Sequence, residues 1–162
     1  MTLDFALIAD AATVDGGGKL SVLGIFDRIR AREFPARHGR IALVMRLAAG
    51  PEDAGGHEAD IRMVDPKGEQ VLRLDGTLRV GEAPPGASGT ITRVPHVLNL
   101  DGITFQGPGV YEFEIRIDGE LVSTLPLTLE ELRDDRRFPG PGSSQGPDGV
   151  PVVFAPGGPA KA

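Results

Sequence analysis

Apolar and charged residues alternate with a period of two along much of the chain. Ile61 and Met63 alternate with Asp60 and Arg62. Leu72, Leu74, Leu78 and Val80 alternate with Arg73, Asp75, Thr77 and Arg79. Tyr111, Phe113, Ile115 and Ile117 alternate with Glu112, Glu114, Arg116 and Asp118. Successive side chains of a strand point to opposite faces, so this is the pattern of half-buried antiparallel strands. A surface helix would space its apolar residues at three and four, and these segments do not. The pattern predicts strands over 3–14, 19–31, 40–48, 57–65, 69–80, 90–100, 109–118 and 120–129.

Turn chemistry falls between these runs. Asp15-Gly16, Asp65-Pro66-Lys67-Gly68, Asp101-Gly102 and Asp118-Gly119 lie between or beside apolar segments. Asp and Gly tolerate the positive φ that tight hairpins demand. Asp75-Gly76 falls inside an alternating run, which predicts a bulge there. Thr128 and Glu131 have capping-box spacing, so a turn or two of helix is expected over 128–135, after the last strand. Seven or eight short strands joined by turns predict an all-β antiparallel sandwich of Ig-like, Greek-key type, with a small closed barrel as the alternative.

The N-terminal third carries a distinctive text. It runs Ala6-Leu7-Ile8-Ala9-Asp10-Ala11-Ala12-Thr13-Val14, then Gly18-Lys19-Leu20-Ser21-Val22-Leu23-Gly24-Ile25-Phe26-Asp27-Arg28-Ile29, then Phe34-Pro35. This resembles an uncharacterised bacterial family of small all-β proteins that open with an LADxAxV…GKLxVLGxxDxI pattern. Later, Pro108-Gly109-Val110-Tyr111-Glu112-Phe113 followed by Ile117-Asp118-Gly119-Glu120 is similar to the closing hairpin of many Ig-like sandwiches. The resemblance spans residues 3 to 130 and implies a β fold. It brings no catalytic motif with it.

Glycine (23) and proline (14) fill about 23% of the 162 positions, against an average near 12%. Much of the excess lies at turns, but 12 of the 25 residues from Phe138 to Ala162 are Gly or Pro. Such a segment buries too little apolar surface to offset its ordering entropy. The expected organisation is a β-sandwich domain over 1–132 and a disordered Gly/Pro-rich C-terminal tail over 133–162. Within the tail, Val150, Val152, Val153 and Phe154 surround Pro151 as one apolar island. Such islands are common in polar tails; the functional alternative is a short motif that adds a strand to a sheet edge.

With no cysteine, the chain has no disulfide framework, thiolate metal site or cysteine nucleophile. No apolar run approaches the ~18 residues of a membrane span. Met1 to Phe5 lacks a basic stretch leading into an apolar core, so a cytoplasmic location is expected. The formal net charge of -6 disfavours non-specific nucleic-acid binding. One Tyr and no Trp leave no platform for stacking sugars or single-stranded bases.

Little in the sequence suggests catalysis. Gly16-Gly17-Gly18-Lys19-Leu20-Ser21 lacks the helix that a phosphate loop requires and reads as a hairpin turn. His38, His57 and His96 have no metal-ligand spacing, no serine sits in a G-x-S-x-G elbow, and the turn aspartates form no calcium loop. The expectation is therefore a non-enzyme without cofactor or metal. One feature is basic: Arg28, Arg30, Arg32, Arg37 and Arg40 place five arginines in 13 residues of an acidic protein. Its ordinary reading is a solvated face or an edge strand protected by charge. It could also pair with acids of the same chain, Glu130 and Glu131 among them. Its functional reading is a docking strip for an acidic protein segment or a small anion. The expected function is a protein-interaction or assembly module, with a homo-oligomer among its forms. An anion-binding module and an enzyme with a dispersed site are the alternatives.

Overall fold

The computed structural model describes residues 1–82 and 91–132. The chain forms β1 (Thr2–Val14), β2 (Leu20–Ile25), β3 (Arg28–Ala31), β4 (Ala36–Arg37), β5 (Arg40–Ala49), β6 (Gly55–Val64), β7 (Gln70–Val80), β8 (Thr92–Asp101), β9 (Thr104–Phe105), β10 (Gly109–Ile117) and β11 (Glu120–Glu131). Among the described residues there is no α-helix, and one 3-10 turn spans Pro51–Asp53. The all-β expectation holds. The expected tail, with Val150, Val152, Val153 and Phe154, lies outside the described residues.

Two sheets enclose the core. One has four strands in the order β2-β1-β5-β8 and the other five in the order β3-β11-β10-β6-β7; β4 and β9 form a separate two-stranded ladder. All pairings are antiparallel except β11 with β3. Ile8, Ile41, Leu43 and Met45 of the first sheet pack with Ile61, Met63, Phe113, Ile115 and Leu127 of the second. Central β5 is almost wholly buried, which is why its sequence is nearly continuous in apolar residues while β10 alternates.

Local chemistry explains the corners. Asp118 and Gly119 both take positive φ (51° and 85°), the geometry a two-residue hairpin needs to match strand twist. The Asp15 carboxylate accepts hydrogen bonds from the N–H groups of Gly17 and Lys19, and Asp65 does the same for Lys67 and Glu69. The Tyr111 hydroxyl donates to the Gly107 carbonyl at 3.1 Å and anchors the loop before its own strand. Its ring meets Phe105 edge-on at 5.0 Å between centroids.

Three local expectations are corrected. Residues 19–31 are two strands in different sheets, because the chain crosses the sandwich at Phe26-Asp27. Gly76 makes no bulge: β7 runs through it in register opposite Ala59. Residues 128–131 continue β11 rather than starting a helix, since Leu127 and Leu129 are buried in the core and Thr128 to Glu131 pair with β3. Residues 133–135 lie outside the described residues.

Candidate functional site

Among the described residues the two large sheets have four outer strands: β2 and β8 on one, β3 and β7 on the other. An exposed edge offers unpaired N–H and C=O groups, and proteins commonly guard it with charge or proline. β8 carries Arg93, Pro95 and Asp101; β7 carries Arg73, Asp75 and Arg79; β3 carries Arg28 and Arg30. β2 reads Leu-Ser-Val-Leu-Gly-Ile, with neither charge nor proline. Two of its large side chains face water: Leu23 is 72% exposed and Ile25 is 66% exposed. Leu23 lies opposite Ala11 and Ile25 opposite Ala9 on β1. Directly opposed residues share a face, so these side chains project on the sheet surface turned away from the core-facing Ile8. Within β2, Gly24 takes φ +68°, and a Cβ there would run into the Asp10 carboxylate.

The arginine strip is split by the fold. Arg28 and Arg30 lie on edge strand β3, Arg32 beyond its end, and Arg37 on β4. Arg28 and Arg30 converge on Glu130, at 2.8 and 3.2 Å. Arg40 holds Asp101 through two hydrogen bonds and keeps that carboxyl below its ordinary range. Among the described residues no carboxylate lies within ion-pair distance of Arg32 or Arg37; the Arg37 guanidinium packs over Gly102. Arg28, Arg30, His38 and Asp10 also line an open depression of about 380 Å³. Three of the five arginines thus already meet carboxylates of this chain, and charge on β3 matches edge protection.

The histidines lie apart, and among the described residues no group of three His, Asp or Glu side chains could hold a metal. His57 sits at one end of the sandwich. Its Nδ1 lies 2.7 Å from the Asp118 carboxylate and its Nε2 2.8 Å from the Asp53 carbonyl. Asp118 raises the pKa of His57, helped by the Asp53 carbonyl, and His57 lowers that of Asp118. His96 is half-buried on β8, and desolvation lowers its pKa. It borders a cleft of about 280 Å³ between β7 and β8, with Met45, Ile61, Leu74, Gly76 and Leu98.

Sequence reasoning passed over β2 as a surface. Its signal was present: apolar residues fall on both faces, where β7 and β10 carry charge on one. That pattern equally describes a central strand, and only sheet order shows which.

No helix of the described residues is long and apolar enough to cross a membrane. No curated protein matches the chain. Among solved structures it is similar to the Pseudomonas fluorescens alkylpurine DNA glycosylase AlkC bound to DNA containing an abasic site analog, at 14% identity and TM-score 0.33. That match covers 77% of this chain and 30% of the glycosylase, and a likeness so low carries no argument about function. Residues 4–130 match a family described as "Family of unknown function (DUF6941)", and the chain belongs to that family.

Proposed function

We propose that this protein is a non-enzymatic interaction module of a bacterial cytoplasmic assembly, and that it takes up a partner strand along β2. One observation carries the reading: among the described residues β2 is the one outer strand of the two large sheets that lacks charge and proline, and it exposes Leu23 and Ile25. Main-chain hydrogen bonds along such an edge supply affinity, and alternate side chains supply specificity. The absence of cysteine suits the cytoplasm. The anion-binding alternative is weaker, because an incoming anion would compete with Glu130 and Asp101 for three arginines.

Site-specific photo-crosslinking in the native host tests this. A photoreactive residue at position 23 is expected to give a discrete crosslinked protein product. The same residue at exposed Lys67, in the turn between β6 and β7, is expected to give none. Absence of a product from position 23 overturns the reading.

A further inference from the structure

We propose that the cleft between β7 and β8 binds a small, uncharged aromatic molecule carrying one hydroxyl or N–H group, and that His96 is its hydrogen-bond partner. β8 is the outer strand at the far side of its sheet from β2, so the site stands apart from the docking surface.

The cleft follows from two small residues. Gly76 interrupts the core-facing row of Leu72, Leu74 and Leu78 on β7, and its partner on β6 is Ala59. Two adjacent positions of a core row are therefore nearly empty, and a Cβ at Gly76 would meet nothing within 4 Å. The space left, about 280 Å³, is lined by Met45, Ile61, Leu74, Leu78 and Leu98. An apolar cavity of about 150 Å³ holds benzene, so the size here suits two fused rings. Water is a poor occupant, because it needs two to four polar partners and these side chains offer none.

One polar group faces the space. His96 stands directly opposite Met45 in the pairing of β5 with β8, and Met45 belongs to the core, so His96 lies on the core-facing row of β8. Among the described residues His57 has hydrogen-bonded ring nitrogens and His96 has no such partner; desolvation lowers the His96 pKa and leaves the ring neutral at pH 7. A half-buried imidazole without a partner is costly, and its free acceptor nitrogen suits a ligand hydroxyl or N–H. Asp75 and Arg79 at the mouth have opposite signs, so the rim selects neither anion nor cation. Burying an ion among the leucines would be costly, which makes the ligand an uncharged one.

NMR titration of the full chain, observed at leucine methyl groups, tests the site. The probe is 2-naphthol, and naphthalene, which lacks the hydroxyl, is its control. The wild type is expected to bind 2-naphthol with a Kd below about 1 mM, with shifts centred on Leu74, Leu78 and Leu98. Gly76→Val fills the gap and is expected to abolish binding of both compounds. His96→Leu keeps the slot apolar and is expected to weaken 2-naphthol about fivefold while naphthalene binds as before. Wild-type shifts locate the ligand without recourse to either variant. Absence of 2-naphthol binding, shifts centred on other leucines, or binding undiminished in Gly76→Val overturns the proposal. So does a His96→Leu variant that treats the two compounds as the wild type does.

Discussion

His57 illustrates how one residue's partners set its charge. A neutral imidazole has one donor nitrogen, yet both nitrogens of His57 face acceptors, the Asp118 carboxylate and the Asp53 carbonyl. Only the imidazolium satisfies both. The charged groups around it are Asp118 and Asp53, with the Met1 ammonium 2.6 Å from Asp53 on its far side. The folded pKa of His57 is raised, so its contribution to stability is complete below the unfolded value of about 6.5 and fades as pH rises through the folded value. Asp118 acts with the opposite sign. Its folded pKa is lowered, so its contribution is present above about 3.8 and fades as pH falls through the folded value. The stability difference between wild type and His57→Gln is therefore expected to be largest near pH 5 to 6 and smaller at pH 8 to 9. Urea denaturation across that range checks it, and a pH-independent difference contradicts it. The sequence showed His57 as an isolated histidine, because its partners lie on other elements, 61 positions away in one case.

At the scale of the element, β7 shows where a local rule yields to context. Gly76 breaks the row of core-facing Leu72, Leu74 and Leu78, and sequence reasoning reads such a break as a bulge. Pairing of β6 with β7 keeps the strand in register, and small Ala59 stands opposite. The outcome is a gap beside Ile61, Leu74 and Leu98: a Cβ at Gly76 would meet nothing within 4 Å. Gly76 has no positive φ, so Gly76→Val meets no backbone obstacle. It should stabilise the fold by about 0.5–1 kcal/mol, through a less free unfolded chain and a better-filled cleft. Chemical denaturation measures this, and a lower stability would mean that the gap is closed to a larger side chain. The splitting of 19–31 has a different origin. Its residues favour extended backbone throughout, and only tertiary packing shows that β2 and β3 belong to different sheets.

At the scale of the molecule, alternation along β6, β7 and β10 made the fold class legible, and the Asp-Gly pairs made the main hairpins legible. Each of those signals is local. Sheet order joins residues distant in sequence, as where Glu130 lies beside Arg30, so the edges could not be read. The arginine strip drew attention because charge is visible in a sequence, and the fold set Arg28, Arg30 and Arg40 against carboxylates of their own chain. β2 drew none, because an apolar strand is conspicuous only once it is known to lie at an edge. Hydrogen exchange on the full chain tests directly whether that edge is covered. The amides of residues 20–25 that point away from β1 are expected to exchange fast in the purified chain and slowly in the complex recovered through position 23, while β8 and β7 keep the same rates in both. Those amides exchanging equally fast in both would contradict the account.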